Sequence, residues 1–133
     1  MIPIIFINSK SVPFVELIME KTKIFETRSR NVLQFLFNTG SRFLIAETGN
    51  GKPVVKCSAE IRSVTTVYTK EAWQKYRLFH CVPYGSDFDW KPDTKKKVMY
   101  ELCNVRPVPV PFVPESGKRH GRVWMEYYGK EMD

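Results

Sequence analysis

Two runs of β-favouring residues, Arg42 to Thr48 and Pro53 to Val64, flank the tripeptide Gly49-Asn50-Gly51. Asn-Gly sequences tolerate the positive φ that tight turns demand, so the spacing predicts a long antiparallel hairpin. Further strands are expected around it. Ile2 to Ile7 is a compact apolar run of the kind that crosses a core, Lys23 to Arg28 favours extended chain, and Val98 to Val105 carries apolar residues on both faces. Arg122 to Tyr128 supplies a last strand.

Helical signals are short. Ser11 is placed to cap a first helix with Pro13 in its first turn and an apolar face of Phe14, Val15, Leu17 and Ile18, ending near Glu20. Asn31 to Phe37 fits one or two helical turns closed by Gly40. Thr69 is placed to cap another helix bearing Ala72, Trp73 and Tyr76, after which His80 to Thr94 reads as irregular. Pro107, Pro109, Pro111 and Pro114 mark an edge or wrapping segment, because proline cannot donate to a ladder. The pattern is several strands with two or three short helices inserted early, an α+β or small-barrel arrangement. At 133 residues the chain fits one domain over 1–133 and excludes a two-domain dehydrogenase or an eightfold α/β barrel.

Charge bears on the partner. The chain has 21 Lys and Arg against 14 Asp and Glu, a net +7, which suits a polyanionic partner such as nucleic acid and equally a basic soluble surface without one. Cys57, Cys81 and Cys103 form no C-x-x-C pair, and no apolar stretch is long enough for a bilayer, so a reduced, cytoplasmic protein without a membrane partner is expected. Gly51-Lys52 fails as a phosphate loop, since Ala46 and Pro53 stand where a glycine and a magnesium-binding hydroxyl belong. His80-Cys81 is a poor nucleophilic dyad, and the Cys and His spacings suit no zinc site. No metal or cofactor is expected.

The most distinctive cluster is Lys21, Lys23, Glu26, Arg28 and Arg30. In an extended segment Glu26, Arg28 and Arg30 project to one side with Lys23 at the entrance, a carboxylate within a ring of cations. The stretch Leu17 to Arg30 resembles the signature of the ASCH domain family of the PUA-like superfamily, with its G-x-K-x-x-E-x-R core. Lys23, Glu26, Arg28 and Arg30 match its charged positions, while Lys21 stands in the glycine position. Ile7 to Ser11 is similar to the family's strand-to-helix passage, with Lys10 and Pro13 each shifted by one. Gly40 to Glu47, Tyr100 to Pro107 and Gly117 to Trp124 resemble three of its strands.

The resemblance implies an α+β fold, a small PUA-like partly open β-barrel with two or three short flanking helices, and RNA or modified-nucleotide binding in a basic cleft. Lys10, Lys23, Glu26, Arg28, Arg30 and Tyr100 are then the candidate nucleic-acid contacts. Lys23, Arg28 and Arg30 would meet phosphate or ribose, Glu26 would orient Arg28 or accept from a base edge, and Tyr100 would stack on a base. Lys95, Lys96, Lys97, Lys118, Arg119 and Arg122 extend a phosphate track. The alternative is an enzyme in the same cleft, with Lys23 and Glu26 catalytic: an amidohydrolase of the N4-acetylcytidine type or a metal-independent ribonuclease. Glu26 replaces the threonine of the deacylating branch, so Thr22 or Thr27 would supply the hydroxyl and Glu71 the carboxylate.

Overall fold

The computed structural model describes residues 1–129; the last four positions of the expected domain lie outside them. The elements run β1 (Ile2–Asn8), α1 (Phe14–Met19), β2 (Phe25–Arg28), α2 (Gln34–Thr39), β3 (Phe43–Thr48), β4 (Val54–Val67), α3 (Lys70–Lys75), α4 (Arg77–His80), β5 (Lys97–Phe112), β6 (Gly117–His120) and β7 (Trp124–Tyr127). Seven strands form one mixed sheet in the order β2-β5-β4-β3-β1-β7-β6. Among the described residues the sheet does not close, and only β1 and β3 pair in parallel. This is the α+β arrangement expected from the strand pattern and the partly open one implied by the resemblance, with α4 as one helix more.

The predicted hairpin is β3 and β4, which pair antiparallel with a register shift between Ile45 and Ala46. Gly49 and Gly51 both take positive φ, 98° and 99°, so the connection uses glycine where L side chains are strained. β1 is buried on both faces, as its apolar run implies. Ile5 and Ile7 join the main core with α1, α2 and α3, while Ile4 and Phe6 pack with Leu44, Ala46, Val55, Val108 and Met125. β5 pairs with both β2 and β4 over Val98 to Glu101, then with β4 alone beyond it. Pro107, Pro109 and Pro111 fall in this single-partnered half, where missing donors are tolerated, and Pro114 follows the strand.

Two caps differ from expectation or explain it. Ser11 does not cap α1; Ser9, buried at the end of β1, accepts from Val15 N at 3.3 Å instead, and Pro13 itself occupies the capping position. Thr69 caps α3 as predicted, accepting from Ala72 N at 3.1 Å. After α1 the chain closes in a Schellman turn: Lys21 N donates to Ile18 O and Thr22 N to Leu17 O, each at 3.0 Å. Lys21 sits at φ 64°, the left-handed position that glycine usually fills. The tight turn is therefore kept despite the lysine.

Tyr100 is fully buried, near the start of β5. Its hydroxyl donates to Asn31 Oδ1 at 2.8 Å and accepts from Leu33 N at 3.1 Å, tying the loop before α2 to the sheet. It exposes no ring face to a base, which corrects the stacking role expected of it. Tyr100→Phe leaves the Leu33 amide without its acceptor, and is expected to cost about 1–2 kcal/mol in urea denaturation while leaving any RNA affinity unchanged.

Candidate functional site

β2 begins at Phe25, two residues later than expected, because Ile24 is engaged on both sides. Its N–H donates to Phe79 O at 2.7 Å and its carbonyl accepts from Leu102 N at 2.9 Å. This bridge fixes Lys23 at the entrance to the strand. Glu26 and Arg28 follow on one side of β2, as the alternation predicts. Arg28 Nη2 lies 2.9 Å from Glu26 Oε2 and also donates to Phe6 O at 2.8 Å. Glu26 Oε1 accepts from Thr27 N at 3.1 Å and stands 3.9 Å from Lys23 Nζ.

Lys23 is almost fully buried. Its ammonium donates to the carbonyl of His80 and lies 4.5 Å from the centre of the Phe14 ring. Burial pulls its pKa from 10.5 down to about 8, against the opposing pull of Glu26. The unfolded chain holds the Lys23 proton up to its ordinary value while the folded chain releases it near 8. Between those values the unfolded state binds more protons, so this group adds stability as pH rises from about 8 to 10.5. Lys23→Met should lack that contribution, which parallel denaturation series over this window will show.

A cleft of about 320 Å³ opens against this cluster. Glu26, Thr27, Arg28 and Ser29 line one side, Asn8 and Phe14 another, and Asp87, Phe88 and Lys97 close it. Its volume is at the small end of the range for ligand pockets. Arg28 Nε is buried with no acceptor among the described residues, an unpaired donor beside the cleft. Ser29 and Lys97 also line an adjoining cavity of about 320 Å³ with Asp93, Thr94, Lys95 and Lys96. The two spaces therefore share a wall, and the exposed Lys95 and Lys96 border the second.

The remaining predicted residues are dispersed. Arg30 is exposed beyond the end of β2, and Lys10 is exposed on the loop after β1; neither lines the cleft. Arg119 lies over the Phe6 ring at 4.5 Å, and Lys118 and Arg122 are exposed around β6. Thr22 and Glu71 are exposed and do not line the cleft, whereas Thr27 does.

The wall made by Asp87 and Phe88 carries no motif in the sequence, and neither does the device that holds it. Asp89 accepts from Trp73 Nε1 at 2.8 Å, Arg77 Nη1 at 3.1 Å and Gly85 N at 2.9 Å. Burial pushes its carboxyl up, but these donors and the Trp90 amide outweigh it and hold it below the usual carboxylate range. His80 is fully buried against Trp73, with ring centroids 3.9 Å apart, and burial lowers its pKa to about 4. It is a neutral structural imidazole. Burial pushes the Cys57 thiol up to about 12 and raises that of Cys81, so neither resembles an activated nucleophile. Among the described residues no three His, Cys, Asp or Glu side chains gather as a metal site requires, and no helix is long and apolar enough to cross a membrane.

No protein-family model matches the sequence, and no curated protein matches it. Solved structures do. An ASCH protein from Zymomonas mobilis superposes with a TM-score of 0.63 at 21% identity, over 79% of this chain and 68% of that one. Its serine-to-alanine variant gives 0.66 at 21% identity, over 84% and 72%, and its tyrosine-to-phenylalanine variant gives 0.66 over 84% and 74%. The chain has the ASCH fold. The β2 segment with Lys23, Glu26 and Arg28 thus lies in a fold shared with ASCH proteins, as the resemblance of the Leu17 to Arg30 stretch implied.

Proposed function

We propose that this chain binds RNA or a modified nucleotide, seating one nucleotide in the Glu26 and Arg28 cleft. The observation that carries the reading is the shared wall: Ser29 and Lys97 belong both to that cleft and to the cavity bordered by Lys95 and Lys96. A base in the cleft meets an acceptor at Glu26 and donors at Arg28, while the attached phosphates run along the lysines. Asn8 and Phe88 supply a polar edge and an apolar wall of the same space. The net charge of +7 and the ASCH fold of the structural neighbours support the same reading.

The test is fluorescence anisotropy with short single-stranded RNA over a series of salt concentrations. Lys95→Ala with Lys96→Ala is expected to weaken binding about tenfold and to flatten the salt slope by about 1.4, since each cation on a single strand contributes about 0.7. Both positions are exposed, so the fold is untouched. Unchanged affinity and slope in the double variant count against the reading.

One observation favours a second reading, hydrolysis of an acylated nucleoside or of RNA. Lys23, with its pKa drawn down to about 8, has Glu26 Oε1 at 3.9 Å, and Thr27 lines the adjoining cleft. Neutral Lys23 would take the proton from an attacking hydroxyl or water. With water, that oxygen adds to the acyl carbon, the C–N bond breaks and the amine leaves with the proton. With the Thr27 hydroxyl, the acyl-enzyme left behind is hydrolysed by water in a second step. In RNA a ribose 2′-oxygen adds to phosphorus, the P–O5′ bond breaks and the 5′-oxygen leaves with the proton. Mass spectrometry of N4-acetylcytidine mixed with short RNAs, incubated with wild type and Lys23→Met, decides it. Acyl loss or strand scission that depends on Lys23 makes the protein an enzyme; an unchanged pool leaves the binding reading alone.

A further inference from the structure

Lys23 contributes to a cavity that Glu26 and Arg28 do not line. It has a volume of about 530 Å³, and its charged and polar walls include Lys21, Lys23, Arg62, Glu101, Asn104 and Arg106. Four cations face one carboxylate there. Glu101 is already engaged, accepting from Ser63 Oγ at 2.8 Å and lying 3.8 Å from Arg62 Nη1. Lys21 and Arg106 are exposed and form no ion pair among the described residues.

The backbone around this cavity is unusual in three places. Lys21 at φ 64° and Asn104 at φ 51° are left-handed without being glycine. Arg62 falls within an irregularity of the β4 and β5 pairing, between Ile61 and Ser63, and such bulges re-aim a side chain. Left-handed L-residues cost energy and collect where function holds them. The turn after α1 requires a left-handed residue but not a lysine; glycine meets the backbone requirement at lower cost. What the lysine adds is a cation at the wall of this cavity.

We propose that this cavity binds a phosphoryl group, either free phosphate or the backbone of a polynucleotide, through Lys21, Arg62 and Arg106. Guanidinium forks pair bidentately with phosphate oxygens, and the lysine adds a mobile point charge. Glu101, 3.8 Å from Arg62 Nη1, biases that exposed side chain toward the sheet. The site stands apart from the Glu26 cleft and does not depend on that reading.

Backbone amide resonances followed by nuclear magnetic resonance test it, with inorganic phosphate and a single-stranded RNA pentamer as separate probes. Saturable shifts at Lys21, Arg62, Asn104 and Arg106 are expected. Phosphate alone producing them assigns free phosphate as the source, and RNA alone producing them assigns the polymer backbone. Shifts confined to Asn8, Ser29 and Lys97 overturn this site and leave the nucleotide reading standing. Silence with both probes overturns both, while cavity shifts with phosphate and silence with RNA support this site and count against the other. Lys21→Gly gives a second readout. It relieves the left-handed strain while removing a cation, so the melting temperature should rise by roughly 3–5 °C as affinity for the responding probe falls several-fold. Unchanged affinity in that stabilised variant also overturns the proposal.

Discussion

Glu26→Ala is expected to destabilise the fold by about 3–5 kcal/mol, a large part of the stability of a small domain. The carboxylate lies 2.9 Å from Arg28 Nη2 and 3.9 Å from Lys23 Nζ, and side-chain exposure is 7% for Glu26, 19% for Arg28 and 1% for Lys23. Removing it leaves two cations in a poorly solvated site without their counter-charge. Urea denaturation measures the loss. Glu26→Gln combined with Lys23→Met removes one charge from each side of the pair and should recover part of that stability, because unpaired burial and not lost attraction dominates the penalty. On the binding reading the double variant regains stability without regaining RNA affinity. A loss in Glu26→Ala below about 1 kcal/mol would show that solvent screens the cluster far more than its burial implies.

Asp89→Ala should cost about 3 kcal/mol and weaken the cleft from a distance. Its loss strands the Trp73 indole N–H, the Gly85 amide and one donor of Arg77, and buried donors without acceptors are expensive. The loop held by these bonds carries Asp87 and Phe88, which close the cleft. Faster amide exchange at Gly85 and weaker RNA binding are expected together, with Asp89→Asn intermediate in both. The wild-type pairing also has a pH signature. Its carboxyl titrates below the ordinary 3.8, so its stabilisation is complete above that value and is lost as pH falls below it. Stability of Asp89→Ala within about 0.5 kcal/mol of wild type would contradict the role given to this network.

Features governed by short-range chemistry were legible in the sequence. The Gly49-Asn50-Gly51 connection, the Thr69 cap, the Gly40 stop and the edge position of the proline series each depend on a few neighbouring residues. The side sharing of Glu26 and Arg28 followed from strand alternation alone. Other features depend on tertiary packing. Ser9 at the end of β1, and not Ser11, accepts from the α1 amide of Val15, a contact set by how β1 and α1 pack and not by the residues next to the helix. Tyr100 has a polar hydroxyl that reads as available for recognition, yet its partners Asn31 and Leu33 lie 69 and 67 residues away and draw it into the core. Lys23 was expected to touch phosphate, and it is buried against His80, 57 residues distant. The wall of Asp87 and Phe88 had no local signal, since it is positioned through Asp89 by Trp73 and Arg77 on separate helices.

The most direct test of the central claim is a crystal structure with a short single-stranded RNA bound. One base is expected in the cleft, its edge within hydrogen-bonding distance of Glu26 or Arg28, and its phosphates directed past Ser29 toward Lys95 and Lys96. RNA ordered elsewhere on the surface with that cleft empty would contradict it.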